Sequence, residues 1–174
     1  MNSPMINVRL AQITDARAIS SVHVAVWQSH YRKTIPDVFL DNLSVDKRLE
    51  HWQIWLEEAD YGNKAIYVAE CNDQIIGFIS GGPCRDDEEM AAEFYAIYVK
   101  EEFQGLGAGK KLLEAFFTWC KEKAHRTICC WVLEENPNSR KFYEGMGGKL
   151  SEGLTKTLTY ALKDVRAVRY EWKL

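Results

Sequence analysis

The residues of this chain that point most directly to chemistry are Gln104-Gly105-Leu106-Gly107-Ala108-Gly109-Lys110. Glycines at alternate positions let the backbone turn tightly and bring bare N–H groups close to a ligand. A strand-like run, Phe94 to Val99, precedes the stretch, and an amphipathic helical pattern, roughly Ala108 to Ala124, follows it. The first turn of such a helix adds unpaired donors and the positive end of the helix dipole. Together these make a socket for an anion, most simply a phosphate. Lys110 and Lys111 sharpen the reading, because cations in a first helical turn oppose the dipole and a bound polyanion removes that conflict.

Two familiar phosphate loops fit poorly. A nucleotide P-loop needs Gly, four residues, then Gly-Lys-Ser/Thr. Gly109-Lys110 fits its end, but Gln104 stands where the first glycine belongs and Lys111 where a magnesium-binding hydroxyl belongs. The dinucleotide fingerprint needs G-x-G-x-x-G at the first strand–helix junction. Gly105, Gly107 and Gly109 give G-x-G-x-G instead, past the middle of the chain.

The elements that must position this loop follow in order. Ile6 to Leu10 reads as a short alternating strand. Thr14 or Asp15 caps a helix to about Tyr31, with Ile19, Val22 and Val26 on its apolar stripe. Pro36 suits the first turn of a short helix ending near Leu43. Ser44 opens another, with Leu49, Trp52, Trp55, Leu56 and Ala59 inward. Strands Ala65–Cys71 and Gln74–Gly81 flank an Asn72-Asp73 turn. Gly77 and Gly81-Gly82 mark a bulge or a close approach. Arg85 to Glu89 is a charged loop, and Ala92 to Val99 is the strand that feeds the glycine loop. Thr127 to Leu133 is an apolar strand. Asn136 caps a helix with Pro137 at its first position, ending at Gly147-Gly148. Two more strands lie within Lys149–Leu162 and Val165–Trp172.

With 174 residues the chain is long enough for one domain with a substantial core, residues 1–174. A net charge of −3 gives no electrostatic footprint for nucleic acid or an anionic membrane. Five cysteines, odd in number and without C-x-x-C spacing, read as buried free thiols of a reducing compartment. Cys129 and Cys130 should face opposite sides of one strand and so form no common metal site. With no signal pattern and no apolar run long enough for a membrane span, the expectation is a cytoplasmic protein without a metal.

Three segments, Glu-Phe-Tyr-Ala-Ile-Tyr-Val (Glu93 to Val99), the glycine loop, and Asn-Pro-Asn-Ser-Arg-Lys-Phe-Tyr-Glu-Gly-Met-Gly-Gly (Asn136 to Gly148), give the chain a family resemblance. In their order and spacing the chain resembles the GNAT superfamily of N-acetyltransferases over nearly its full length. Gln104, Gly107 and Gly109 match that family's Q/R-x-x-G-x-G/A loop position for position. The resemblance implies an α/β (α+β) fold: a mixed, mostly antiparallel twisted sheet of about seven strands, splayed between strands 4 and 5 and flanked by helices. It implies that acetyl-CoA lies in the splay as co-substrate. The amides of Gly105, Leu106, Gly107, Ala108, Gly109 and Lys110 would cradle the pyrophosphate. Backbone groups of Ile97 and Val99, freed by the splay, would pair with the pantetheine amides.

Asn136 resembles the family's cofactor-contacting Asn; as a residue it equally reads as a helix cap only. Ser139 and Arg140 lie near the same helix end, within reach of the cofactor; as residues they also read as an ordinary first turn. Tyr143 matches the family's Tyr beside the cofactor sulfur, where its hydroxyl would donate to the departing thiolate. The Tyr98 or Val99 amide is the expected oxyanion donor. By strand alternation Glu93 shares a face with Ile97 and Val99, which makes it the candidate to take the amine's proton. Trp27, Tyr31, Trp52 and Trp55 are expected to wall the acceptor pocket, and Asp86, Asp87, Glu88 and Glu89 either attract a cationic amine or form a solvated acidic loop. The function expected is acetyl transfer to a primary amine of a small molecule or protein, by direct attack in a ternary complex, in a monomer or homodimer. The alternative is a non-catalytic acyl-CoA-binding regulatory module.

Overall fold

The computed structural model describes residues 5–60, 62–86 and 90–174. Its elements are β1 (Ile6–Leu10), α1 (Ala16–His30), α2 (Asp37–Asp41), α3 (Val45–Asp60), β2 (Ala65–Cys71), β3 (Gln74–Pro83), β4 (Ala91–Val99), α4 (Ala108–Glu122), β5 (Thr127–Leu133), α5 (Pro137–Gly145), β6 (Lys149–Tyr160) and β7 (Lys163–Lys173). The strands form one sheet in the order β1-β2-β3-β4-β5-β7-β6. Neighbours are antiparallel except β4 and β5, which run parallel and are joined by α4.

Local sequence explains most boundaries. Asn72 and Asp73 both adopt positive φ, 49° and 60°, in the turn between β2 and β3, a conformation these short polar side chains tolerate. Asn136 caps α5 by accepting the Ser139 N–H at 3.1 Å, with Pro137 in the first turn. In α4 the residues Leu112, Leu113, Phe116, Trp119 and Cys120 are buried, while Glu114, Thr118 and Lys121 face out.

Two layers cover the sheet. α4 and α5 pack on one face against Ala92, Phe94, Ile97, Val99, Cys130 and Tyr170. α1 and α3 pack on the other, against Ile66, Val68, Phe78, Ala96 and Tyr98. A third cluster of Ile35, Leu40, Leu133 and Ala167, with Trp27, Tyr31 and Tyr160 against it, joins the α1–α2 corner to β5, β6 and β7. Cys129 and Cys130 do face opposite sides, Cys130 in the α4 core and Cys129 beside Cys84.

Two irregularities make the site. β4 and β5 pair only at Ala91↔Thr127, Ala92↔Ile128 and Glu93↔Cys129, then diverge. Beyond Glu93 the β5 side of β4 has no strand partner, and a V opens between the strands. The second irregularity lies on the β3 side, where the register steps from Ser80↔Ala96 to Gly81↔Phe94. Tyr95 is the extra residue of a β-bulge, which inverts the in–out alternation of β4. Gly81 sits opposite the bulge: a Cβ there would come within 2.4 Å of Phe116 Cζ and 2.5 Å of the Glu93 carbonyl oxygen.

Candidate active site

The glycine loop turns as its composition requires. Gly105 and Gly107 hold φ of 74° and 89°, and Gly107 is the N-cap of α4. The first helical hydrogen bond recorded there runs from Lys111 N to Gly107 O at 3.1 Å, so the N–H groups just before it point out of the helix end without helical acceptors. No acidic residue lies in that turn. A Cβ on Gly105 or Gly107 would meet nothing within 4 Å, so the loop is open to a ligand. Gln104 Nε2 ties the loop back to the strand, donating to the Val99 carbonyl at 3.0 Å and lying 2.9 Å from His30 Nε2.

From this loop a cavity of about 810 Å³ runs along the V between β4 and β5. That size suits a cofactor-sized ligand. Among the expected cofactor residues, Ile97, Tyr98, Val99, Gln104, Gly105, Gly107, Ala108, Gly109, Lys110, Asn136, Ser139 and Tyr143 line it. Leu106 does not; its side chain is largely exposed, so only its backbone belongs to the loop. Arg140 also lies outside, its guanidinium donating to the Tyr170 hydroxyl at 3.2 Å and the Glu134 carbonyl at 3.3 Å.

Tyr143 is 6% exposed, on the inner face of α5, packed edge-on against Phe94 and Trp172. Burial pushes its phenol well above the ordinary value, with a smaller contribution from Cys130, so the hydroxyl is protonated at neutral pH. Tyr98, on the opposite wall, is pushed up to about 12 by burial. Tyr31 is likewise raised by burial and then by Tyr98. At neutral pH these phenols are donors, not bases.

Glu93 differs from expectation. The bulge at Tyr95 places Ile97 and Val99 on the α4 face with Ala92 and Phe94, so Glu93 does not share a face with them. Its fully buried carboxylate takes the Arg85 N–H and Nε, both at 3.1 Å to Oε2, and Arg85 Nη2 on Oε1. Glu93 is not part of the cavity lining, but Arg85 is. The ligand atoms of Cys84, Glu93 and Cys129 lie within 4.8 Å of one another, a grouping that the sequence did not suggest. Arg85 already occupies both carboxylate oxygens, and burial raises the Cys129 thiol, so the trio packs as core.

The far end of the cavity is aromatic. Trp27 meets Tyr31 at 5.2 Å and Tyr160 at 5.6 Å between ring centroids, and all three line it. Trp52 and Trp55 do not; Trp52 packs on Phe78 at 4.9 Å and Trp55 on Tyr95 at 5.8 Å. Asp86 accepts from Trp131 Nε1 at 3.0 Å and from Lys156 Nζ, while Asp87, Glu88 and Glu89 lie outside the described residues.

Residues 26–147, which include the bulged strand, the loop and Tyr143, match the model of the acetyltransferase (GNAT) family. This chain belongs to the GNAT family. It is 32% identical over 136 residues to YuaI of Bacillus subtilis, described as an uncharacterized N-acetyltransferase, covering 77% of this chain and 75% of that one. It is 32% identical over 124 residues to the 5-NmdU N-acetyltransferase of Pseudomonas phage PaMx11, covering 67% and 84%. The fold is that of the PaiA N-acetyltransferase of Thermoplasma acidophilum, solved with coenzyme A, with a TM-score of 0.79 over 98% of this chain and 99% of that one at 20% identity. YncA of Salmonella typhimurium, solved with acetyl-CoA, has a TM-score of 0.75 over 99% and 94% at 19% identity.

In this GNAT chain the sequence patterns located the loop, α5 and Tyr143. They missed Arg85, Trp131, Lys156 and Tyr160, which complete the cavity. No local pattern marks them, since they meet only in the assembled sheet.

Proposed function

We propose that this chain moves an acetyl group from acetyl-CoA to a primary amine, of a small molecule or a protein, by direct attack within a ternary complex. The observation that carries the reading is one continuous cavity. It joins an anion-suited helix start to a buried, protonated phenol through the gap where β4 loses β5. In this reading the N–H groups from Gly105 to Lys110 hold the pyrophosphate. The free edge of β4 at Ile97–Val99 pairs with the pantetheine amides as an added strand would. Asn136 and Ser139 border the same arm. The Tyr98 or Val99 N–H donates to the oxyanion.

The step balances simply. The amine nitrogen attacks the thioester carbon, a C–N bond forms and the C–S bond breaks. Tyr143 gives its hydroxyl proton to the departing thiolate and recovers it from solvent. The amine's proton leaves to solvent. Glu93 is not assigned that proton, because Arg85 holds both of its oxygens and a general base must reach the group it deprotonates. We place the activity in one domain over residues 1–174, as a monomer or homodimer. Cytoplasmic placement is supported by the five free thiols.

The test is thiol release from acetyl-CoA with a panel of primary amines, for the wild type and Tyr143→Phe. The expected result is turnover that falls roughly 10²–10⁴-fold in the variant with cofactor affinity kept, since only the hydroxyl is removed. Equal turnover in both would make Tyr143 a packing residue. CoA binding without turnover on any amine would favour the regulatory module instead.

A further inference from the structure

Two cations line the acceptor end of the cavity, and each is held in the same manner. Arg85 lies over the Tyr95 ring, 4.5 Å from its centroid, and is clasped along one edge by Glu93. Lys156 lies over the Trp131 ring at 4.2 Å and is held by Asp86. Both cations line the cavity, whereas neither Glu93 nor Asp86 does, and no carboxylate lines it among the described residues. The Arg85 side chain is 57% exposed while that of Glu93 is fully buried, so the carboxylate fixes the guanidinium from behind and leaves the rest of the fork toward the cleft. A ring on one side and a carboxylate on another remove most of the rotamer freedom that an arginine or lysine normally loses on binding.

Such an arrangement presents N–H donors to a ligand and hides their counter-charges. A carboxylate or phosphate entering the cleft gains charge-assisted hydrogen bonds, bidentate in the case of Arg85. A second ammonium on the acceptor finds no carboxylate there among the described residues. The remaining wall, Trp27, Tyr31 and Tyr160, suits a flat or apolar body.

We propose that Arg85 and Lys156 form a clamp for an anionic group on the acceptor, so that the substrate is an amine with an apolar or aromatic body that also carries a carboxylate or phosphate. This rests on the acetyl-transfer reading above and names its acceptor class. Glu93 and Asp86 then act as positioning residues for the clamp.

The experiment is steady-state thiol release with matched acceptors. L-Phenylalanine is compared with phenylalaninamide and 2-phenylethylamine, and pyridoxamine 5′-phosphate with pyridoxamine, which separates carboxylate from phosphate. Spermidine is the polycationic control, and CoA binding is measured alongside. The expected result is a kcat/KM roughly 10–100-fold higher for at least one anionic member than for its neutral partner. Lys156→Met and Arg85→Lys should each remove most of that advantage through KM for the anionic member, leaving the neutral partner and acetyl-CoA unaffected. Arg85→Lys keeps a charge opposite Glu93, and Lys156→Met leaves Asp86, which is partly exposed, its Trp131 Nε1 donor and the nearby Arg169 guanidinium, so neither leaves a buried carboxylate bare. Neutral amines or spermidine used as well as the anionic ones would overturn the clamp. So would variants that slow every acceptor alike, or thiol release with none of the anionic amines while CoA still binds. Failure to bind CoA at all would strike the acetyl-transfer reading itself.

Discussion

Tyr143 illustrates how one residue's environment sets its chemistry. A phenol held above its ordinary range by burial stays protonated at neutral pH, which is the form that the proposed donation to a departing thiolate requires. The same burial that protects Tyr143 makes His23 a liability. His23 lies on α1 among Trp27, Trp52, Phe78 and Tyr98, at ring distances of 5.3 to 6.1 Å, and neither ring nitrogen has a hydrogen-bond partner among the described residues. Burial first, then Arg48 and His51, lower its pKa from 6.5 to about 3. Between those values the unfolded chain binds a proton that the folded chain refuses, so stability rises with pH across the window and is lost as pH falls through it. We expect urea-unfolding free energies to drop by about 1.4 kcal/mol for each unit of acidification below pH ~6.5 on account of this residue. His23→Leu should lack that part of the slope, and parallel wild-type and variant curves would refute the assignment. Neither this histidine nor the Arg85–Glu93 pair was legible in the sequence. A lone histidine carries no pattern, and the two partners of the pair are separated by a loop whose path local residue types do not fix.

At the scale of elements, the strands and helices were legible because their signals are local. An Asn-Asp turn, an Asn-Pro cap and the apolar stripe of α4 each act within a few residues. The bulge in β4 was only half legible. Gly81-Gly82 suggested an irregularity, but one extra residue on the partner strand reverses the facing of everything before it, and period-two reasoning ran straight through. That single step moved Glu93 off the expected face. Gly81 is where the bulge meets α4, and a side chain there would collide with Phe116 and with the Glu93 backbone together. Gly81→Ala should therefore destabilise by about 1–3 kcal/mol, as overpacking does, measured as a lower urea midpoint at an unchanged m-value. An unchanged midpoint would mean that the bulged strand yields freely.

On the scale of the whole molecule, the sheet, its order and its splay serve one purpose: they hold a phosphate-suited loop and a protonated tyrosine at separate stations of one cavity. The splay could not be read from periodicity, since β4 and β5 are ordinary strands on their own and part only in the assembled sheet; the family resemblance supplied it. Among the described residues no helix is long and apolar enough to cross a membrane. The central claim, that CoA binds with its pyrophosphate on the glycine loop, is tested most directly by calorimetric titration of CoA into the wild type and Gly107→Asp. A side chain at Gly107 meets no protein atom within 4 Å; its φ of 89° strains a non-glycine residue, so circular dichroism and the urea midpoint first establish that the variant is folded, with a carboxylate standing where phosphate must approach. The account predicts binding to the wild type and a loss of at least ~10²-fold in the folded variant, from like-charge repulsion in a half-exposed site. Undiminished CoA affinity in a folded Gly107→Asp protein would contradict it.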